Sequence, residues 1–478
     1  MLFRSTSKVA LRFSKILLGG TLATPRMQSH LWKVGDLNGD GLGDLALGGT
    51  LDSTTNTNIP VCILYGHAGT ADGTLPDYDL SQLQGPNHVC FTSATAIGAP
   101  IVGVGDVNGD GVDDLAWGAL SGTGVAREMR VFLGKKGAVM AANPALIVKG
   151  IFSSGSNGVY RIAAAGNFNG DATPTGKPLF DIAITNRVAT GSPVTYDRVH
   201  VIPGSTKWSD ASPVTIDLGS ATDRQTNNVL TANLIDPAST PIFGASITGV
   251  GNVLADSGAT QFDDLAIATY AQPQQVFLIK GRAWNGEVNL QFNSSCCTGS
   301  ADEATSVRIV PDQSGLTGPN TFGQFVAPAE FDGEATPDLV IQHQSNSTGA
   351  PQGGLYWVRG KTLAANLGKQ VALQATLLPG QTAIYSTPAG FMTRRWHLGV
   401  MAIGNFFDQP SGTTRTDLAM ARNSKAPNGG PNTLTLIGDL LRPDSAIPAE
   451  NSFLFGDVRS EEHTSELQSH LNLVCRLL

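Results

Sequence analysis

The stretch VGDLNGDGLGDLALGG, residues 34–49, places oxygen-bearing side chains at regular intervals in a glycine-rich segment. These side chains stand at relative positions 1, 3, 5 and 9: Asp36, Asn38, Asp40 and Asp44. Position 6 is glycine, and position 7, Leu42, offers a backbone carbonyl. This spacing matches the first nine positions of a calcium loop. The alternative is a β-turn whose Asp and Asn side chains hydrogen-bond only their own backbone.

A second copy, VGDVNGDGVDDLAWGA, covers residues 104–119 in the same register. Its predicted calcium ligands are Asp106, Asn108, Asp110, the carbonyl of Val112, and Asp114. An EF-hand would need flanking helices and Glu at position 12, where the two copies have Leu47 and Trp117, so that class of calcium site is the weaker interpretation. Two such copies indicate a repeat architecture.

A third copy keeps its oxygen side chains but carries the insertion ATPTGKPLF, residues 172–180, before its last ligand. Its candidate ligands are Asn167, Asn169, Asp171 and Asp181. The insertion lengthens the loop, so calcium binding requires that Asp181 return to the position that Asp44 and Asp114 hold in their own loops.

Three looser copies follow, centred on Asn252, Glu330 and Asn405. Their remaining acidic positions are Asp256 and Asp264, then Asp332, Glu334 and Asp338, then Asp408 and Asp417. Leu254 and Phe407 stand where ligands should be, and Ala335 replaces the glycine of the sharp bend. We therefore expect these three loops to bind calcium poorly or not at all.

A second landmark supports six structural units, because each loop is followed by an apolar run that ends in glycine. The runs are CILYG, RVFLG, HVIPG, FLIKG, YWVRG and LTLIG, and their glycines lie 17 to 23 residues beyond the last Asp of each loop. Each unit thus predicts one strand before the loop, one after it and a third at the apolar run. We assign the fourth strand to segments such as PVTIDLG (213–219) and GEVNLQF (286–292).

Short apolar runs, 56 glycines and only 15% charged residues favour an all-β fold rich in turns. Repeated units of four antiparallel strands are typical of a β-propeller, in which each sheet packs against its neighbours. The sequence therefore predicts a propeller with six visible four-stranded blades.

The loops and the FG pairs in FGASITGVGN (243–252) and FGQFVAPAEF (322–331) resemble the FG-GAP or VCBS-type repeat family. The fold of that family is the β-propeller of integrin α-subunit head domains. The resemblance covers about residues 31–458. It implies that each loop joins the first two strands of a blade and binds Ca²⁺.

The two ends of the chain are treated separately. Residues 1–30, basic and partly apolar, resemble either a secretory signal or an organelle transit peptide. RSEEHTSELQS (459–469) matches the translation of a sequencing adapter, so we set residues 459–478 aside as an artefact tail. FLFGDV (453–458) resembles the first strand of a further blade, which would make the chain a truncated seven-bladed ring; the alternative is a native six-bladed propeller.

Charge and cysteine content limit the classes of partner. The chain has a net charge of −8 and no basic stripe, which argues against nucleic acid, and no apolar run reaches the length of a membrane span. Cys62 and Cys90 could form a disulfide if the protein is exported. Buried free thiols are the alternative.

No catalytic motif such as GxSxG, HExxH or a P-loop occurs in the sequence. We therefore predict a calcium-stabilised scaffold, secreted or on the cell surface, that binds a protein or carbohydrate partner. The competing hypothesis is a propeller hydrolase or lyase that acts on polysaccharide, with an active site built from distant blades.

Overall fold

The fold is known from a computed structural model, whose first half is described over several ranges. They are 12–15, 30–48, 61–67, 77–79, 84–91, 97–120, 127–141, 143–151, 161–189, 195–235 and 242–256. The second half is described over 261–270, 274–293, 300–311, 320–330, 336–345, 353–373, 381–386, 400–404, 417–422, 433–437 and 452–454. Three segments discussed above lie outside these ranges: the leader, except for residues 12–15 and 30, the loop at 405, and the tail 459–478.

The first three units contain most of the strands of the first half of the chain. Unit 1 has β1 (Arg12–Lys15), β2 (His30–Gly35), β3 (Asp44–Gly48), β4 (Val61–Leu64), β5 (Asp77–Asp79), β6 (Gln84–Gly85) and β7 (His88–Phe91). Unit 2 has β8 (Ile97–Gly105), β9 (Asp114–Leu120), β10 (Arg127–Phe132) and β11 (Leu146–Ile151). Unit 3 has β12 (Ile162–Gly166), β13 (Asp181–Ala189), β14 (Thr195–Ile202), β15 (Val214–Asp217), α1 (Ala221–Thr226) and β16 (Leu230–Leu234).

The other three units have the same character. Unit 4 has β17 (Ile242–Gly251), β18 (Asp264–Tyr270), β19 (Val276–Ile279), β20 (Val288–Phe292), a 3₁₀ turn (Glu303–Thr305) and β21 (Ser306–Val310). Unit 5 has β22 (Asn320–Ala329), β23 (Asp338–Ser345), β24 (Gly353–Val358), α2 (Gly360–Ala364), β25 (Gln370–Ala372) and β26 (Gln381–Ser386). Unit 6 has β27 (Val400–Gly404), β28 (Asp417–Arg422), β29 (Thr433–Ile437) and β30 (Ser452–Leu454).

The protein is all-β, and each unit builds one antiparallel meander of four strands, which we number sheets 1 to 6 in chain order. In units 2 to 6 the first three strands pair in sequence order, and a fourth strand closes the sheet. In unit 1 the same roles fall to β2, β3, β4 and β7, with β6 antiparallel beyond β7, while β1 pairs in parallel with β5 in a separate two-stranded sheet. The fourth strands are β7, β11, β16, β21, β26 and β30, each antiparallel to the third strand of its unit. The predicted order of strand, loop, strand and third strand is confirmed in all six units.

The predicted fourth strands, however, lie elsewhere. PVTIDLG forms β15, which pairs in parallel with β11 of sheet 2, and GEVNLQF forms β20, which pairs in parallel with β16 of sheet 3. In the same way β25 pairs with β21 of sheet 4. These three strands each belong in sequence to one unit but complete the outer edge of the preceding sheet. Our assignment of PVTIDLG and GEVNLQF as fourth strands was therefore wrong.

The stretch predicted to begin a seventh blade also has a different place. Residues Ser452–Leu454 form β30, which pairs with β29 and closes sheet 6. Phe453 is the register partner of Leu434. The remainder of FLFGDV lies outside the described residues.

The hydrophobic core lies between consecutive sheets, because sheets 2, 3 and 4 bury both faces. Along β18, Leu265 and Ile267 pack with residues of sheet 3, such as Val199 and Val201. The alternating Ala266 and Ala268 face the other way and pack in a cluster with sheet 5. Side chains of a strand alternate between the two faces, so one apolar run serves two interfaces. Equivalent clusters join sheets 1 and 2 and sheets 2 and 3.

The first strands of successive sheets contact one another along the chain. Contacts join β2 to β8, β8 to β12, β12 to β17, β17 to β22 and β22 to β27. This arrangement brings the loops that follow the first strands close to the neighbouring sheet.

No helix in the described part of the chain has the length and hydropathy needed to cross a membrane.

Candidate metal-binding loops

The three candidate calcium loops each join the first strand of a sheet to the second. Residues 36–43 connect β2 to β3, 106–113 connect β8 to β9, and 167–180 connect β12 to β13. Gly41 and Gly111, at position 6, have φ values of +88° and +94°. Side chains with a Cβ rarely adopt this left-handed conformation, so glycine at this position permits the sharp bend.

In the first loop the oxygens of positions 1, 3 and 5 turn inward and accept hydrogen bonds from the loop backbone. Asp36 Oδ1 and Oδ2 accept from the amides of Asp40 and Gly41 at 3.1 and 2.7 Å. Asn38 Oδ1 accepts from the amide of Asp40 at 3.1 Å, and Asp40 Oδ1 accepts from that of Leu42 at 2.8 Å. The side-chain amide of Asn38 donates to Asp40 Oδ2 at 2.9 Å. The loop thus gathers its oxygens around one turn.

The second loop repeats this geometry almost bond for bond. Asp106 Oδ1 accepts from the amide of Asp110 at 3.0 Å, and its Oδ2 accepts from that of Gly111 at 2.7 Å. Asn108 Oδ1 accepts from the amide of Asp110 at 3.0 Å, and Asp110 Oδ1 accepts from that of Val112 at 2.9 Å. Loops at 36 and 106 therefore have one shared structure.

The last Asp of each loop has a different environment, because it is buried. Asp44 is 0% exposed, and its Oδ2 accepts from the amide of Leu37 at 2.7 Å. Its Oδ1 accepts from the amide of Gly66 at 2.7 Å, the glycine that ends the third-strand run CILYG. The two sequence landmarks of unit 1 are therefore joined by a hydrogen bond.

This bond, which we call the Asp–Gly clasp, recurs in units 1 to 5. In each unit the last Asp of the loop accepts from the glycine that ends the third-strand run. The pairs are Asp44–Gly66 at 2.7 Å, Asp114–Gly134 at 2.9 Å, Asp181–Gly204 at 3.0 Å, Asp264–Gly281 at 3.0 Å and Asp338–Gly360 at 2.9 Å. The clasp explains the regular spacing between the two landmarks in the sequence.

The clasp also explains why its second member is glycine. A Cβ built on Gly134 would lie 2.2 Å from the carbonyl oxygen of Asp113, and one on Gly281 would lie 2.2 Å from that of Asp263. Gly66, Gly204 and Gly360 stand equally close to the residue that precedes their own partner Asp. The third strand can approach the loop only without a side chain.

Burial makes the clasp carboxylates hard to ionise. It raises the pKa of Asp44 to about 7, although the amide hydrogen bonds from Gly66 and Leu37 lower it. Burial also raises the pKa of Asp114 and Asp181 well above the ordinary value of an aspartate. A cation close to these groups would stabilise their ionised form.

The third loop keeps this design despite its insertion. Ala172 and Pro178 form an isolated bridge, so most of the insertion is looped out. Asp181 then takes the buried clasp position, with its Oδ2 accepting from the amide of Asn169 at 3.0 Å. The insertion lies against the second loop, where Lys177 Nζ donates to the carbonyl oxygen of Asp110 at 3.2 Å.

The oxygens of the third loop are less fully paired than those of the first two. Asn167 Oδ1 and Asp171 Oδ1 are buried and accept no hydrogen bond from any described residue. A buried oxygen without a donor is unfavourable, and a bound cation would satisfy it. Carboxylate and amide oxygens are also the donor set that Ca²⁺ prefers.

No three Asp, Glu, His or Cys side chains among the described residues converge as a ready-made metal site. The predicted ligand sets of the first two loops each combine two carboxylates, an amide side chain, a backbone carbonyl and the clasp Asp, whereas the third set has two amide side chains, one carboxylate and the clasp Asp. The first three surround the turn, whereas the clasp Asp directs its oxygens at two amides. Calcium binding by these residues thus stays a prediction.

The family profile of the FG-GAP repeat matches residues 98–139. This span is therefore similar to one FG-GAP repeat. The matched span covers β8 from Gly98, the loop at 106, β9, β10 and both members of the clasp Asp114–Gly134. No curated protein matches the chain.

The FG pair that gives this repeat its name lies at an irregularity of the first strand. Pairing between β17 and β18 shifts register between Phe243 and Ser246, and pairing between β22 and β23 shifts between Phe322 and Val326. Gly244 has a φ of +85° and sits close to Thr185 and Val199 of sheet 3. Phe243 and Phe322 are buried between the sheets. The FG pair therefore helps the first strand to pack on its neighbour.

Sequence reasoning missed the residue that precedes the clasp Asp in units 2 and 4. Asp113 Oδ2 accepts from the amide of Asp36 at 2.8 Å, and the amide of Asp113 donates to the carbonyl of Asp36 at 3.1 Å. Asp263 makes the same two bonds with Asn167, at 2.7 and 3.1 Å. Each pair joins position 1 of a loop to the following sheet. Only the unusual DD pair before the second strand could have hinted at this role.

Proposed function

We propose that the six sheets are blades of a β-propeller built from FG-GAP repeats. The observation that carries this proposal is the contact between the first strands of successive sheets, because a propeller places the first strand of every blade around its central axis. Packing of both faces of sheets 2, 3 and 4 against their neighbours is the second support. The resemblance to integrin-type propellers agrees with both.

In this proposal calcium stabilises the first three blades. The ion would be held by Asp36, Asn38, Asp40, the carbonyl of Leu42 and Asp44 in the first loop, and by the equivalent residues in the loops at 106 and 167. The clasp Asp can still contribute, because a carboxylate has about four lone-pair positions and the clasp uses two. When bound, Ca²⁺ would neutralise the gathered carboxylates and fix the turn.

The orphan oxygens of the third loop and the raised pKa of Asp44 support a nearby cation. Both features describe oxygen atoms that lack enough positive charge or hydrogen-bond donors around them.

We propose further that the propeller is an extracellular scaffold for a protein or carbohydrate partner. Cys62 and Cys90, register partners on β4 and β7, form a disulfide, and disulfides persist mainly in oxidising compartments. FG-GAP repeats occur in integrin-like extracellular propellers. The described first strands, which would line the channel, are rich in small and apolar residues, as in IAAAG and IFGASITGVG.

Calcium binding is tested by calorimetric melting of the full chain with calcium and with a chelator. At a calcium concentration of 100 times the Kd, each occupied site should add about 2.7 kcal/mol to the free energy of unfolding. Asp110→Asn should reduce this calcium dependence. Asp210→Asn, which changes the same charge outside the loops, should leave it unchanged. A wild-type melting temperature that ignores the chelator would contradict calcium stabilisation.

The scaffold is tested by probing arrays of glycans and extracellular proteins with the full chain in calcium. We expect saturable binding to at least one class that chelation weakens. Turnover of a polysaccharide by the purified chain would favour the hydrolase or lyase instead.

A further inference from the structure

The fourth loop differs from the first three at the position where the ion should bind. Leu254 replaces the position-3 ligand, is 2% exposed and belongs to the hydrophobic cluster between sheets 4 and 5, so no side-chain oxygen is available there. Asp256 remains, and its amide donates to Asn252 Oδ1 at 3.2 Å. The clasp is intact, with Asp264 accepting from the amides of Leu254 and Gly281 at 2.7 and 3.0 Å. The turn is therefore kept while one oxygen is lost.

A lysine ammonium lies at the remaining carboxylate of this loop. Lys280 Nζ is 2.9 Å from Asp256 Oδ1, and the two side chains are 24% and 9% exposed. The second oxygen of Asp256 accepts from the amide of Phe262 at 2.8 Å. A charge-assisted contact of this length with a largely buried carboxylate is stronger than a surface ion pair. The negative charge of the loop is thus neutralised by the chain itself.

The position of Lys280 in its unit is informative, because it immediately precedes the clasp glycine Gly281. Its backbone amide donates to the carbonyl of Thr305 at 3.0 Å, which holds the end of the third strand in sheet 4. The side chain therefore starts from a fixed backbone beside the loop. The ammonium also acts on Asp264, whose pKa burial raises to about 7 and the charge of Lys280 lowers.

The equivalent residue is neutral in the three units whose loops keep their oxygens: Tyr65, Leu133 and Pro203. In unit 5, whose loop departs from the consensus, it is Arg359. In unit 6 it is Ile437, and the loop of that unit lies outside the described residues. A basic residue at this position thus accompanies a substituted loop in units 4 and 5 but not in unit 6, and residues 331–335 of the unit 5 loop also lie outside the described residues.

We propose that Lys280 takes the place of the calcium ion in the fourth loop, which is therefore closed without metal. The inference rests on the proposed calcium binding of the other loops, since it assigns one loop to a different class from them. The chain then contains two kinds of loop between the first and second strands of its sheets. One kind depends on free calcium, and the other does not.

The first test is a double-mutant cycle on the full chain in chelator, with Lys280→Met, Asp256→Asn and the pair. Lys280→Met leaves a buried carboxylate unpaired, so it should lower the melting temperature by roughly 2–4 °C. The double variant should recover part of that loss. Lys207→Met, an exposed lysine just beyond the clasp glycine of unit 3, should leave the melting temperature unchanged. Equal melting of Lys280→Met and Lys207→Met would overturn the proposal.

The second test is calcium stoichiometry by equilibrium dialysis. Asp110→Asn should remove one bound ion relative to the wild type, whereas Asp256→Asn should remove none. Loss of an ion in Asp256→Asn would overturn the assignment of the fourth loop. If the wild type binds no calcium, the proposed calcium function fails, but the cycle in chelator still decides whether Lys280 closes the loop.

A transfer of the lysine gives the strongest form of the test. Asn108→Leu with Leu133→Lys copies the fourth loop into the second, and Asn108→Leu alone is the matched control. Both variants should bind one ion fewer than the wild type. Only the variant with lysine should regain stability in chelator, and failure to exceed the control would count against the proposal.

Discussion

The second and fourth loops occupy the same place in their sheets, yet the polar and charged side chains around their turns differ. The loop at 106 gathers two aspartates and an asparagine around a glycine turn, whereas the loop at 252 has a buried leucine and an ion pair with Lys280. Both share the Asp–Gly clasp and the close packing of the third strand. The comparison teaches that the same Asp–Gly clasp accompanies turns with different charged groups around them.

The clasp should give the largest effect, and an equal one in both loops. Asp114→Ala and Asp264→Ala each leave two buried amides without an acceptor, which should lower the free energy of unfolding by about 2–6 kcal/mol. Urea titration followed by circular dichroism measures this loss in chelator, with Asp210→Ala as the control. A loss in one loop only would show that the clasp is not the shared element.

The clasp glycines should give the next largest effect. Gly134→Ala and Gly281→Ala place a Cβ against a backbone carbonyl that is fixed by the second strand, and the overpacking should cost about 1–3 kcal/mol. Thermal unfolding of both variants measures it. Gly43→Ala is the matched control, because a Cβ there meets nothing within 4 Å. If Gly134→Ala and Gly281→Ala had the same melting temperature as Gly43→Ala, the close approach of the third strand to the loop would not explain why these positions are glycine.

The hydrogen bonds that Asp113 and Asp263 accept from the loop of the preceding sheet should give the smallest effect. Asp113→Ala and Asp263→Ala remove the acceptor of a partly buried amide in the preceding loop, which should cost about 0.5–1.5 kcal/mol each. The first link touches a candidate calcium loop at Asp36, and the second touches Asn167. Equilibrium unfolding in calcium and in chelator compares the two. If both variants were as stable as the wild type in calcium and in chelator, Asp113 and Asp263 would not stabilise the contact between a loop and the following sheet.

Much of the fold follows from the sequence, because a clasp Asp and a glycine recur at nearly fixed spacing. That pattern predicted the loops, the three strands around them and the repeat. It could not predict the hydrogen bond that joins Asp44 to Gly66, since spacing alone does not show which groups meet. The side chains of the loop at 36 accept hydrogen bonds from the loop's own backbone, as the β-turn alternative expects, and the sequence could not separate such a turn from an ion site.

Other features depend on contacts between distant segments and left no local signal. The apolar alternation of PVTIDLG shows a strand but not the sheet that it joins, so β15 was placed in the wrong sheet. Lys280 meets Asp256 only because the clasp brings the end of the third strand to the loop. Asp113 appeared as one more acidic residue of its loop, and its bond to Asp36 is visible only between sheets.

Because of the parallel outer strands, the borders of the sequence repeats do not coincide with the borders of the sheets. β15, β20 and β25 each cover the edge of the sheet before their own, so removing one repeat would strip its neighbour of an edge strand. A bare edge offers unpaired amides and carbonyls to other chains and invites aggregation. Repeats of this chain therefore cannot be shuffled or deleted singly at their sequence borders. Any exchange of repeats must place its boundary after the parallel outer strand, so that each sheet keeps the strand that covers its edge.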